Sequence, residues 1–318
     1  MRAVMFDESG ISFREDIPQP VCRENEVLVR VLLAGLCETD LQLVQGYMGF
    51  HGILGHEFVG IAETGRFAGQ RVVGEINCSC GSCETCRQGL ATHCPHRTVL
   101  GILNHDGAFA DYIAVPEANL HRVPDEISTE AAVFTEPLAA AFQIPAQIPL
   151  SKEMRVVVLG DGRLGNLCAQ VIRLSGATVS VVGKHRRKLD LLEKLGIATE
   201  LLENLSPDRC ADVVVDCTGS PSGLPTACQI IKPRGTIVLK TTVAGTPEMT
   251  LAPLVIDEIT VVGSRCGPFD RAVTALENAE VEVLPLIDHR LPLSAALEAF
   301  EIARTTDTLK ILLHVNDP

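Results

Sequence analysis

Tryptophan is absent from the 318-residue sequence, tyrosine occurs twice, and aromatic residues make up only 4% of it. A large aromatic-lined pocket is therefore a weak expectation. No run of about 18 uncharged apolar residues occurs, which excludes a transmembrane helix. The opening Met1-Arg2-Ala3-Val4-Met5-Phe6-Asp7 lacks a basic leader, an apolar stretch and a small-residue cleavage site, and reads as a first strand. A cytoplasmic location is expected. Positive charge is in deficit: 27 Lys and Arg stand against 40 Asp and Glu, a net charge of −13. That balance argues against a nucleic acid partner and against an anionic membrane surface. It leaves room for a phosphate-bearing small molecule, whose site needs only local positive potential. Internal repeats and low-complexity segments are also missing.

What is present is cysteine, twelve in all, in a chain long enough for two domains with 46% hydrophobic residues to fill their cores. In a cytosolic chain such a count signals metal more often than disulfides. Cys80, Cys83, Cys86 and Cys94 follow a C-x2-C-x2-C-x7-C spacing inside a polar, Gly- and Thr-rich segment. Four thiolates from one short lobe can wrap a tetrahedral metal, and zinc is the usual occupant of an all-sulfur cage. Cys22, Cys78, Cys168, Cys210, Cys217, Cys228 and Cys266 lie mostly in apolar runs and read as buried thiols.

Residues 1–125 alternate short β-rich runs with Gly and Pro punctuation, the pattern of a strand-rich domain with many turns. At one strand end, Cys37-Glu38-Thr39-Asp40 offers a thiol, a hydroxyl and a carboxylate within four residues. Gly55-His56-Glu57 follows, the glycine allowing a tight turn that aims imidazole and carboxylate at a cleft. A Cys and a His from two loops, with a carboxylate as third ligand, would make a zinc site with its fourth position open.

A second texture begins near Ser151. Met154 to Gly160 is a β-branched apolar run, as expected of a buried parallel strand. It leads into Gly160-Asp161-Gly162-Arg163-Leu164-Gly165 and then a helical apolar pattern that Gly176 ends. Strand, G-x-G-x-x-G and helix together form a dinucleotide fingerprint, with the pyrophosphate expected on the helix N-terminus. The second strand should close on an acid if the cofactor is NAD, because that carboxylate grips the ribose 2′-hydroxyl. Gly183-Lys184-His185-Arg186 stands there instead, so NADP is favoured over NAD. The plain alternative is a solvated basic turn that opens the next helix. Further βα alternation to about residue 285 implies a doubly wound parallel sheet.

These motifs, together with Thr135-Glu136-Pro137-Leu138-Ala139, fall in the order found in the zinc-dependent medium-chain dehydrogenases/reductases. The chain resembles the alcohol and polyol dehydrogenases of that superfamily from near residue 3 to near residue 315. The resemblance is to the sorbitol, glucose and threonine dehydrogenase branch, which carries Glu-Pro-Leu-Ala. It implies an α/β architecture in which a β-rich, GroES-like zinc domain, residues 1–125 and 286–318, embraces a Rossmann domain, 126–285. It also implies one structural and one catalytic zinc, with Cys37 and His56 as catalytic ligands and Asp40 orienting His56. Glu136 comes first as third ligand and Glu57 second, with an ion-pair role behind the ligands equally open to Glu57. Thr39 would take the substrate proton. Where some relatives carry a relay histidine three residues further on, this chain has Gln42. Arg265 lies at a strand end that approaches the nicotinamide ring in the family.

The activity implied is reversible hydride transfer between an alcohol (a polyol, sugar, cyclitol or amino alcohol) and NADP or NAD, by a homodimer or homotetramer. Zinc-free quinone and enoyl reductases of the same superfamily lack both cysteine motifs. A silent dinucleotide-binding sensor would be expected to have lost a ligand or the relay hydroxyl, and here none is missing.

Overall fold

The computed structural model describes residues 1–240, 250–305 and 307–316. The chain divides into two compact units. The first comprises residues 1–136, 272–278 and 286–318, and the second residues 137–271 and 279–285. The boundary expected from the sequence lies at 125/126, with a closing segment that runs to 318. Residues 306, 317 and 318 of that segment lie outside the described residues.

The first unit is organised on the strand Glu26–Leu36, which anchors a seven-stranded sheet. Its first half alternates half-buried and buried side chains, as a strand with one covered face should. From Val31 every residue is buried, and the register with its partner shifts between Val31 and Leu33. This is why the run Val31-Leu32-Leu33-Ala34-Gly35-Leu36 loses its alternation. Glu57–Ala62 and Tyr112–Pro116 pair antiparallel with it, and so does Lys310–His314, from the far end of the chain.

The second unit is a six-stranded, wholly parallel sheet. Numbered in chain order within the unit, its strands lie 3-2-1-4-5-6, the doubly wound arrangement. Its first strand, Arg155–Leu159, buries four of its five residues. The helix Arg163–Arg173 follows at once and turns Leu167, Cys168, Val171 and Ile172 inward. The central strands Arg155–Leu159 and Ala211–Asp216 are buried almost throughout, whereas the edge strand Thr260–Gly263 has no fully buried residue.

Seven cysteines were expected as buried thiols, and this needs correction. Only Cys168 is buried, whereas the other six are half-buried. Apolar neighbours in sequence do not decide burial at strand ends and loops, where several of these residues fall. No helix among the described residues is long and apolar enough to cross a membrane.

Candidate active site and metal centres

Three strand ends converge on the first site. Cys37 follows directly on Glu26–Leu36, and Glu57 opens the neighbouring strand in register with Gly35. On the other side Ile311 faces Leu36, which brings Lys310 alongside. Sheet register thus joins Glu57 and Lys310 across 253 residues of sequence. Gly55, at φ +96°, makes the turn that aims His56; a Cβ there would stand 2.3 Å from the Phe109 ring.

The ligand atoms of Cys37, His56 and Glu57 all lie within 4.8 Å of one another. His56 and Glu57 are buried, and Cys37 is half-buried. Asp40, fully buried on the short helix Glu38–Leu43, ties the group together. Its Oδ2 accepts the Cys37 N–H at 2.8 Å, and its Oδ1 lies 3.3 Å from His56 Nδ1. Those last two atoms are buried and complete no hydrogen bond. Burial pushes the imidazole down more than any single neighbour raises it, but Asp40 and Cys37 together outweigh burial and hold the His56 pKa well above the usual histidine value. A thiol, an imidazole and a carboxylate with polar atoms left unmatched form a donor set that fits zinc.

Glu57 serves a second contact. Its Oε2 is ion-paired with Lys310 Nζ, and both side chains are 1% exposed. The same ammonium lies 5.4 Å from the centre of the Phe134 ring. Glu136, placed first as third ligand by the sequence reading, is half-buried in the first turn of the helix Thr135–Gln147. It does not belong to the Cys37–His56–Glu57 group. The Thr39 hydroxyl sits 3.8 Å from the Cys37 sulfur. Gln42 donates to Glu38 Oε1 at 3.1 Å on the same helix, so the position of the relay histidine is taken by a local hydrogen bond.

The second cluster is Cys80, Cys83, Cys86 and Cys94. Sulfur–sulfur distances are 3.5 Å for Cys83–Cys86 and Cys80–Cys94, 3.8 Å for Cys83–Cys94 and 4.0 Å for Cys80–Cys86. A zinc bound at about 2.3 Å to four sulfurs imposes a tetrahedron edge of about 3.8 Å, so this lobe fits the ion as it stands. Backbone N–H groups of Ser82 and Cys83 push the Cys80 thiol down to about 5, into its metal-binding thiolate form. Burial, with the surrounding sulfurs, pushes Cys86 up to about 11. Cys78 stays outside: burial drives it up to about 12, and its thiol points at the Ile76 carbonyl.

The glycine loop lies in the second unit. Gly160, at φ +112°, packs on the Cys217 carbonyl, and a Cβ on Gly165 would stand 2.0 Å from the Gly160 carbonyl oxygen. The helix can therefore reach the loop only without a side chain at 165. Gly165→Ala is expected to weaken dinucleotide binding at least tenfold and to destabilise the fold by about 1–3 kcal/mol. NADPH fluorescence titration and thermal melting check the two effects. Leu164 is half-buried at the start of the same helix. Arg265 is exposed, its backbone carbonyl accepting from Lys240 Nζ at 2.9 Å.

Gly183 leaves the second strand without an acid of its own, but the glycine loop brings a carboxylate beside it. The carboxylate of Asp161, 7% exposed, lies over Gly183 and accepts the N–H groups of Lys184 and His185 at 2.7 and 2.6 Å. Arg186 is bound to Asp190 and Glu193 of its own helix. Asp161 and Lys310 thus lie at the two candidate sites without being singled out by the sequence. Each carries a faint signal: an acid inside a glycine loop, and a single lysine interrupting Leu309-Lys310-Ile311-Leu312-Leu313.

Two family models match the chain, the alcohol dehydrogenase GroES-like domain over residues 23–125 and zinc-binding dehydrogenase over residues 164–280. Sorbitol dehydrogenase from Halalkalibacterium halodurans is 29% identical over 325 residues, 94% of each chain. L-threonine 3-dehydrogenase from Bacillus velezensis is 28% identical over 345 residues, 98% of each chain. A structure from Sinorhizobium meliloti 1021, described as a zinc-binding dehydrogenase bound to NADP, has a TM-score of 0.88 at 28% identity over 99% of each chain. The chain belongs to the zinc-dependent medium-chain dehydrogenase/reductase superfamily. Its activity class is that of an NAD(P)-dependent alcohol or polyol dehydrogenase.

Proposed function

We propose that the chain oxidises a secondary or primary hydroxyl of a polyol, sugar, cyclitol or amino alcohol. The observation that carries this reading is the convergence of Cys37, His56 and Glu57 beside the Thr39 hydroxyl. Cys37 and His56 would hold a catalytic zinc with Glu57 or Glu136 as the carboxylate, and the four-cysteine lobe a structural one. Zinc in the first site would supply a Lewis acid, of the strength that brings a bound water's pKa to about 7. The nicotinamide would supply the hydride acceptor. The chain's own work is positional. Asp40 fixes His56, Lys310 fixes one oxygen of Glu57, and Thr39 takes the proton of the substrate hydroxyl and passes it outward.

The cofactor is proposed as NADP ahead of NAD, held by Gly160, Gly162, Leu164 and Gly165 and by the basic residues Lys184 and His185. The zinc domain is proposed as residues 1–125 and 286–318, with 126–285 binding dinucleotide. A cytoplasmic location suits two thiolate-bearing metal sites, which need reduced cysteines. A homodimer or homotetramer is supported by the edge strand Thr260–Gly263, which among the described residues pairs on one side only. Val255 and Ile256, 75% and 77% exposed, lie just before it in the chain. Such an edge beside apolar surface invites a second copy of the chain.

Thr39→Val removes the relay hydroxyl without removing a ligand. Turnover is expected to fall about 10²- to 10³-fold with zinc content unchanged. The test of the function itself is reduction of NADP, then NAD, by the zinc-loaded protein offered polyols, sugars, cyclitols, amino alcohols and simple alcohols. Turnover of one polyhydroxylated or amino-alcohol class supports the proposal. Turnover confined to simple alcohols contradicts the substrate class, and turnover with NAD alone contradicts the cofactor preference.

A further inference from the structure

Dinucleotide folds place the acid that reads the adenosine ribose at the end of the second strand. Here that strand, Thr178–Gly183, ends without a side chain. An ideal Cβ on residue 183 would fall 2.5 Å from both Cβ and Oδ2 of Asp161. The carboxylate therefore occupies the volume that an acid at 183 would fill, and it arrives from the glycine loop instead. Its position is well fixed. Oδ2 accepts two backbone N–H groups, and the His185 ring nitrogen Nδ1 lies 3.1 Å from each carboxylate oxygen.

We infer that Asp161 is a specificity-determining residue of the dinucleotide site, reading the adenosine ribose from the glycine loop. The inference rests on the reading of that loop as a nicotinamide dinucleotide site. Oδ1, facing His185 but no backbone amide, keeps acceptor capacity for a ribose hydroxyl. A 2′-phosphate would bring about two negative charges against this carboxylate. Lys184 acts in the opposite sense, because its ammonium can pair with that phosphate, and the His185 ring, held against Asp161 through Nδ1, adds less. Arg186 contributes less, being engaged by Asp190 and Glu193. Selectivity at the 2′ position is then a contest between Asp161 and its basic neighbours, and the preference for NADP is held down by Asp161.

The test is fluorescence titration of the full-length, zinc-loaded protein with NADPH and NADH. It compares the wild type, Asp161→Asn, and a double replacement, Asp161→Gly with Gly183→Asp, that moves the carboxylate to the strand end. Thermal melts accompany each variant. The asparagine keeps an acceptor for the Lys184 and His185 N–H groups while removing the charge. Asp161→Asn is expected to shift the ratio of the two Kd values toward NADPH by about tenfold or more. The double replacement is expected to hold the wild-type ratio within about threefold, and it carries the test alone if Asp161→Asn does not fold. Equal weakening of both nucleotides in Asp161→Asn, with the ratio unmoved, overturns the inference, since Asp161 would then only brace the turn. A double replacement shifted toward NADPH overturns it equally. Failure of the wild type to bind either nucleotide overturns the underlying reading of the loop.

Discussion

Cys37→Ala is expected to lower kcat/KM for the alcohol by about 10³-fold or more, the scale of a lost Lewis acid. The physical reason is that the thiol joins two jobs in one residue. Its sulfur is one of three donors within 4.8 Å, and its backbone N–H binds the Asp40 carboxylate that faces His56. Alanine keeps the N–H and therefore the helix start and the aim of His56. It removes only the sulfur. The fold should survive with an unchanged melting temperature in the apo state, while bound zinc falls by one ion per chain and the ion in the four-cysteine lobe stays. Metal analysis beside steady-state kinetics separates these results. Full activity in the variant would remove Cys37 from the site.

Lys310→Met is expected to destabilise the protein by about 3–5 kcal/mol, the usual penalty for stripping one partner from a buried ion pair. Glu57 and Lys310 are each 1% exposed, so neither charge can turn to water when the other is lost. For a chain of this size the loss corresponds to a melting temperature lower by on the order of 10 °C. Methionine fills similar volume, so a cavity contributes little. Adding Glu57→Gln removes the orphaned charge and should recover most of the stability, though not the catalytic geometry. Thermal melts of the two variants, taken without added zinc, measure the pair itself. A single variant as stable as the wild type would mean that the ammonium is not needed to hold Glu57.

Much of this molecule was legible in its sequence because the determinants are local. Arg155-Val156-Val157-Val158-Leu159 followed by the glycine loop could only be a covered parallel strand entering a helix. The four cysteines at 80–94 need no tertiary information to suggest a cage, since one short lobe supplies all four sulfurs. What could not be read depends on register. Nothing near Glu57 announces Lys310, because the pair exists only where strand Lys310–His314 lies against Glu26–Leu36. The basic run after Gly183 suggested a strand end free of acid, yet the neighbouring strand's loop delivers Asp161 into that place. Likewise, the two carboxylates Glu57 and Glu136 are equivalent as letters. Only the pairing of Gly35 with Glu57 sets one of them beside Cys37.

The central claim is that Cys37 and His56 hold one metal while the cysteine lobe holds another. Anomalous diffraction at the zinc absorption edge from crystals of the zinc-loaded protein tests it most directly. The account predicts two peaks per chain, one amid Cys80, Cys83, Cys86 and Cys94 and one contacting Cys37 and His56 with Glu57 or Glu136 as the third ligand. A single peak in the cysteine lobe, with none at Cys37 and His56 under saturating zinc, would contradict it.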